Sequence, residues 1–317
     1  MAQPTGQYVT FSARGLREDL ENVIYDISPT DTPFMSMGGR SDAIAVNHEW
    51  QTDSLRAAAT NFHEEGATLT ASEPAATTRL GNICQISRET TIVSGTLDAV
   101  SKAGRKEELA YQMTKRSKEL KRDMERAFVG ANTASTAMAA DSTVRKLGSL
   151  TAWVTTNTSK GSGSSNGSSG STARTDNGAR AFTETLLKAA ILASYNSGAD
   201  IKYLMMAPGQ KQNFSSFVGV GASGGASNRT DTADQRIIGG MDVYVSDFGE
   251  MAVVPNRFQR NGDCWLLDPE YYNIAYLRPF FQREVASTSD GEQRAIIVEY
   301  TLQVNNEAAL GAVYDLN

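Results

Sequence analysis

Residues 28–39 read SPTDTPFMSMGG, and the architecture turns on how this stretch is taken. Pro29 and Pro33 push Ser28 and Thr32 out of the helical region. Asp31 favours a tight turn by bonding its own downstream backbone. No helical or strand period runs through the stretch, yet Phe34, Met35 and Met37 are large apolar groups that require cover. Such a segment either returns onto its own domain as a loop or lies along another surface as an extended arm. The residues alone leave both open.

Upstream, Leu16, Leu20, Val23, Ile24 and Ile27 recur at spacings of three and four, which predicts a short amphipathic helix over 14–27. Downstream, Ile44, Val46, His48 and Trp50 alternate with their neighbours before the chain dissolves into Ala/Thr-rich sequence. Strand character returns over 80–96. Two such limbs joined by a weakly apolar tip predict an extended hairpin, each limb of about 14 residues reaching about 45 Å. An isolated hairpin is marginal in water, so this one calls for a partner surface.

Residues 101–129 place Leu109, Met113, Leu120, Met124 and Phe128 at intervals of four and seven among nine Lys/Arg and five Asp/Glu. This predicts a helix about 43 Å long, with Ser101 as its cap and Gly130 as its stop. By itself that is a surface helix with a solvated charged face. Residues 157–178, NTSKGSGSSNGSSGSTARTDNG, are low in complexity and read as a mobile surface loop. A helix over 182–197, a strand over 202–206, a helix over 208–217, a polar Gly-rich loop over 219–235 and strands over 241–246, 250–254 and 264–267 follow. The tail alternates cleanly at Tyr272, Ile274 and Tyr276 and again from Ile296 to Val304, with Ser289-Asp290-Gly291 as the turn. A long antiparallel ribbon beside a long helix gives an α+β layer.

Asp31-Thr32-Pro33-Phe34, then His48-Glu49-Trp50-Gln51-Thr52-Asp53-Ser54-Leu55, Ser94-Gly95-Thr96, Ala103-Gly104-Arg105 and Glu119-Leu120-Lys121-Arg122-Asp123-Met124-Glu125 occur in an order and spacing that resembles the major capsid proteins of tailed, chiefly short-tailed, double-stranded DNA phages. The resemblance runs from about residue 16 to 130, with a weaker echo over about 241–309; the Gly/Ser tract departs from it as an insertion. It implies the Hong Kong 97-type capsid fold: an N-terminal arm (1–42), an extended hairpin loop (43–95), a peripheral domain with the spine helix (96–184), an axial domain (185–269) and return strands of the peripheral domain (270–317). It further implies self-assembly as hexamers and pentamers into an icosahedral shell around double-stranded DNA contacted non-specifically. The expected partners are a portal protein, a separate scaffolding protein and a decoration or cement protein, and the expected location is the virion after synthesis in the host cytoplasm. Inter-subunit contacts are expected at Asp31, Pro33, Phe34, Met35, Trp50, Arg56, Glu64, Glu65, Arg105 and Arg122, with Phe34 and Met35 packing on a neighbour. Because the arm-like sequence begins within the first twenty residues, no scaffolding extension is expected in the chain itself. Some shells of this fold join a hairpin lysine to a neighbour's asparagine; the first lysine here is Lys102, so this hairpin has none to give.

Composition fits a shell protein and excludes other classes. Apolar content of 40% and charged content of 21% over 317 residues describe an ordinary globular chain of two or three subdomains. No apolar run approaches the roughly 18 residues of a membrane span, and the first residues lack a signal peptide's basic end and apolar stretch. This disfavours a secreted adhesion protein and a membrane partner. A net charge of −6 opposes a dedicated nucleic-acid binder. Cys84 and Cys264 read as buried free thiols.

Chemical motifs are suggested and then fail. Gly219-Val220-Gly221-Ala222-Ser223-Gly224 spells a dinucleotide fingerprint but no helix follows it. Gly163-Ser164-Ser165-Asn166-Gly167 spells a nucleophile elbow inside a Gly/Ser tract. His48 and His63 lack the close Cys/His companions of structural zinc. No catalytic, cofactor or metal residues are assigned. An encapsulin-like compartment protein, and an enzyme with a cryptic site, are the alternatives.

Overall fold

The computed structural model describes residues 28–69, 71, 73–102, 107–138, 140, 143–217, 230–231, 236–237, 242–287 and 290–317. The helix expected over 14–27 and the fingerprint at 219–224 lie outside them.

The stretch at 28–39 is the first departure from expectation. Pro33 opens a one-turn helix, α1 (Pro33–Met37), at a position where its missing N–H costs nothing. β1 (Gly39–Asp42) follows and pairs in parallel with a strand more than 230 residues away. Gly38 permits that approach, since a Cβ there would lie 2.5 Å from the Tyr272 ring. β2 (Asn47–Thr52) and β3 (Thr78–Ile83) form the hairpin, in register from Asn47 opposite Ile83 to Thr52 opposite Thr78. Its limbs are six residues each, not about 14, because strand character past Cys84 belongs to β4 (Gln85–Ser94), which joins a different sheet.

A short helix, α2 (Gly95–Ala99), precedes the long one, α3 (Glu108–Glu125), which continues as a π-helical turn over Arg126–Gly130. The N-cap of α3 is Glu107, not Ser101, and the 18 residues of the helix span about 27 Å. α4 (Leu150–Trp153) is a buried single turn. β5 (Thr158–Ser159) is followed by the Gly/Ser tract, then α5 (Glu184–Asn196), β6 (Tyr203–Met206) and α6 (Pro208–Ser215). Two-residue strands β7 (Thr230–Asp231) and β8 (Arg236–Ile237) pair with each other. β9 (Val243–Ser246), β10 (Gly249–Pro255), β11 (Cys264–Leu267), β12 (Tyr272–Val285), β13 (Gly291–Val304) and β14 (Gly311–Val313) complete the chain.

One sheet runs β1-β12-β13-β4 and another β5-β14-β11-β6-β10-β9. β1 flanks β12 only as far as Tyr276, and Pro279, which has no N–H for a ladder, sits just beyond, where the β12–β13 register shifts between Tyr276 and Phe281.

Two apolar cores meet at the six-stranded sheet. The first packs Leu109, Met113, Leu120, Met124 and Phe128 of α3 and its π turn against Ile296, Val298, Tyr300 and Leu302 of β13. The second packs Leu187 and Ile191 of α5 and Phe214 of α6 against Met251 and Val253 of β10. Strand alternation divides single strands between them. Trp265 and Leu267 of β11 enter the first core while Cys264 and Leu266 enter the second; Met205 of β6 parts from Leu204 and Met206 in the same way. Both cysteines are buried and unpaired, and burial pushes the Cys84 thiol up to about 11.

The tract at 157–178 is an irregular, largely exposed surface loop as expected, but it is tied to the body of the subunit. Gly170, at φ +75°, lies flat on Trp153, where a Cβ would come within 2.5 Å of the indole. Backbone bridges join Ser165 to Thr175 and Ser168 to Thr172. The tract cannot fold on its own apolar content, but it covers the indole of α4.

Candidate functional site

The hairpin stands on a built base. Trp50 of β2 packs 5.2 Å from Trp153 and 5.9 Å from His48. His48 Nε2 and Ser41 Oγ both bond Gln303 Oε1, at 3.0 and 2.9 Å. Fully buried Asn82 donates to the carbonyls of Gly148 and Leu302, and its Oδ1 accepts from the N–H of Gly148 and Ile83. Arg79 pairs with Glu49 across the limbs.

Beyond Thr52 and Thr78 the chain changes character. Among the described residues of 53–77 none belongs to a helix or strand, and all are exposed. Leu55, Phe62 and Leu69 are 98%, 90% and 98% exposed, and Ile44 nearer the base is as open. Apolar side chains held this far into water, on backbone with no sheet partner, form a surface that lacks its other half. Asp53, Glu64, Glu65 and Glu73 against Arg56 make this reach acidic. Arg56, Glu64 and Glu65 are all exposed on it.

The open side of α3 and its π turn carries the opposite sign. Lys115, Lys118, Lys121 and Arg126 are exposed, and among the described residues none of them makes an ion pair. Lys102, Lys188, Lys202 and Lys211, by contrast, are each paired with a carboxylate. Arg122 is half-buried with its guanidinium 5.7 Å from the Phe258 ring centre. Arg105 lies outside the described residues.

The segment at 31–35 corrects an expectation. Asp31 is exposed, and Pro33 and Met35 are half-buried, but Phe34 is fully enclosed in its own subunit. Its ring stacks on Tyr272 at 4.5 Å and tilts against Phe128 at 5.8 Å. Thr32 makes no side-chain cap for α1. Glu125 of α3 caps it instead, Oε1 accepting from Phe34 N–H at 2.8 Å and Oε2 from Met35 N–H at 3.0 Å, with Asn256 Nδ2 donating to Oε1. Burial pushes the Glu125 carboxyl above the usual carboxylate range, and those three donors oppose the rise. Within the subunit Phe34 keeps no exposed ring surface to offer a neighbour.

Sequence reasoning missed a buried charged cluster under the Gly/Ser tract. Arg174 Nη2 donates to Asp315 Oδ2 at 2.9 Å, its Nη1 pairs with Asp176, and its guanidinium lies 4.0 Å from the Tyr314 ring centre. Asp315 also accepts from Gly161 N–H, Ser164 Oγ and Asn177 N–H. Burial pushes its carboxyl up, but the Ser164 hydroxyl, the Gly161 amide and Arg174 together hold it below the usual carboxylate range. The signal was the presence of Arg174 and Asp176 in a run otherwise of Gly, Ser, Thr and Asn with one Lys and one Ala. Ser165 of the elbow motif lies in a backbone bridge, not at a strand-to-helix turn. His48 and His63 bond separately to Gln303 and Asn61. Among the described residues no three His, Cys, Asp or Glu are grouped to hold a metal, and no helix is long and apolar enough to cross a membrane.

A family model described as SU10 major capsid protein matches residues 3–317. The major capsid protein of Escherichia phage Phieco32 is 37% identical over 130 residues, which span 41% of this chain and 37% of that protein. Among solved structures, the Cyanophage A-1(L) capsid asymmetric unit superposes with a TM-score of 0.69 at 12% identity, covering 97% of this chain and 98% of that one. The capsid of a native GTA particle computed with C5 symmetry gives 0.61 at 12% identity, covering 97% and 98%. A chain of Gordonia phage Cozz gives 0.59 at 11% identity, covering 99% and 97%. At these identities the superpositions establish a shared fold, the Hong Kong 97-type capsid fold, in α+β form.

Proposed function

The chain belongs to the SU10 major capsid protein family, and from that premise we propose that it is a shell subunit that assembles as hexamers and pentamers into an icosahedral capsid around double-stranded DNA. The observation that carries this reading is the acidic reach at 53–77, which among the described residues holds Leu55, Phe62 and Leu69 almost wholly in water. Burying the three side chains on a neighbour contributes roughly 1.5–3 kcal/mol each, before the cost of association. Repeated around a closed ring, contacts of that size add up to a stable shell.

The reach is acidic and the open face of α3 is basic, so the two are complementary between copies. Arg56, Glu64 and Glu65 on the hairpin, Asp31 and Met35 beside α1, and Arg105 and Arg122 on and before α3 are the proposed contact residues; Pro33 and Trp50 hold α1 and the hairpin base in place. The remaining partners proposed are a portal protein, a separate scaffolding protein, a decoration or cement protein and DNA held non-specifically, with synthesis in the host cytoplasm. Electron microscopy of the chain co-expressed with a scaffolding protein tests the reading: uniform closed shells tens of nanometres wide are expected. Monodisperse monomers under all assembly conditions refute it.

A further inference from the structure

We propose that the buried cluster of Arg174, Asp176, Arg260, Asp263 and Asp315 is a proton-operated clamp on the Gly/Ser tract, closed while Asp263 is protonated and loosened when it ionises. Asp263 is fully buried immediately before β11, the strand whose side chains divide between the two cores. Among the described residues neither of its carboxylate oxygens receives a hydrogen bond. Arg260 Nη1 lies 3.5 Å from Oδ2 and is itself without a hydrogen-bond acceptor, because the other end of that guanidinium is drawn to Asp176. Arg174 is committed to Asp176 and Asp315. A buried carboxylate with no donor of its own is costly as an anion. As an acid it sheds that cost; in the same turn Gln259 Oε1 is likewise buried and unbonded, while its Nε2 donates to the Asp263 backbone carbonyl at 2.6 Å.

The groups facing Asp263 come from three segments. The tract supplies Arg174 and Asp176, with Arg180 acting on Asp315; the preceding turn supplies Arg260; the tail supplies Tyr314 and Asp315, with Glu307 beside Tyr314. Cys264 follows on β11, and burial lifts its thiol and the Tyr314 hydroxyl far above neutrality, so neither titrates in the same range. Burial raises Asp263 to about 7 from 3.8, Arg260 and Arg174 working against the rise and Asp176 and Asp315 with it. Lifting the tract admits water and returns the group to its ordinary value. The closed form therefore holds its proton more tightly. Its advantage is complete below about 4 and is lost as pH rises through about 7, by up to about tenfold in the opening equilibrium per pH unit.

Hydrogen exchange on the purified full chain tests this. Gly161 and Asn177, whose amides donate to Asp315, report the tract, and Val298 to Leu302 of β13 serve as the internal reference. After correction for intrinsic exchange, protection at the two reporters is expected to fall on the order of 100-fold between pH 5 and pH 7. Asp263→Asn is expected to remove that slope. Asp176→Asn, which removes a negative charge facing Asp263, is expected to move its midpoint to lower pH. Wild-type protection independent of pH overturns the proposal, as does an undiminished slope in Asp263→Asn. If Asp263→Asn does not fold, an unmoved midpoint in Asp176→Asn overturns it.

Discussion

Replacing Phe34 with alanine separates two roles for the segment at 28–39. A residue reserved for a neighbouring subunit leaves the unassembled chain as stable as before when it is truncated. Phe34 is instead fully buried, stacked on Tyr272 at 4.5 Å and against Phe128 at 5.8 Å. Truncating a buried phenylalanine costs about 3–5 kcal/mol, and losing aromatic contacts places the value in the upper part of that range. About 4 kcal/mol in a chain of this length lowers the midpoint of thermal unfolding by roughly 6 °C. Phe34→Leu keeps most of the volume and is expected to cost about 1 kcal/mol. The assay is urea unfolding of unassembled subunits, followed by tryptophan fluorescence, since Trp153 and Trp265 share this core. An unassembled Phe34→Ala chain within 1 kcal/mol of wild type, combined with failure to form shells, refutes the argument and returns the residue to an inter-subunit role.

Gly170→Ala forces a Cβ onto the Trp153 indole at a positive φ, and a loss of roughly 2–5 kcal/mol is expected in the same assay. Replacing Leu55, Phe62 and Leu69 together with serine is expected to leave subunit stability within about 1 kcal/mol and to abolish shells on electron micrographs, because these side chains are almost wholly exposed in the subunit. Charge reversal of Glu64 and Glu65 to lysine is expected to block assembly, and reversal of Lys118 and Lys121 to glutamate in the same chain to restore it, as read by sedimentation. Mature particles boiled in detergent are expected to release one band at monomer mass, since the hairpin has no lysine and its one thiol, Cys84, is buried with its acidity suppressed. A ladder that survives reductant contradicts this.

Elements carried by local periodicity were legible: the alternation from Ile296 to Val304 is β13, and the apolar spacing from Leu109 to Met124 is α3. What was lost depends on distant residues. Nothing near Phe34 announces that Glu125, 91 residues on, will cap its turn, or that Tyr272 will stack on its ring. The anchoring of the Gly/Ser tract was missed because composition measures what a segment can bury by itself. Here the apolar surface is Trp153 and the counter-charge is Asp315, both from elsewhere in the chain. The hairpin was drawn too long because one run of strand-like residues, 78–94, serves two sheets, and the break at Cys84 leaves no mark in the alternation. At 53–77 the sequence was legible as a tip that builds no core, with Arg56, Glu64 and Glu65 on it, but Leu55, Phe62 and Leu69 went unremarked because isolated apolar residues carry no period.

The docking of α1 and β1 also fixes an order of events in synthesis. Their seat is made by Glu125, Asn256 and the start of β12, and β12 is locked in turn by β13, which ends at Val304. A ribosome reaches Asp42 some 260 residues before it completes that seat, which at about 5–20 residues per second is roughly 13–50 s. Throughout that interval the seat for Phe34, Met35 and the unpaired edge of β1 is incomplete within the nascent chain. A prematurely terminated product is left with the segment undocked, open to chaperones and proteases. Closure of the N-terminal turn thus acts as a completeness test, passed only by subunits translated through β13.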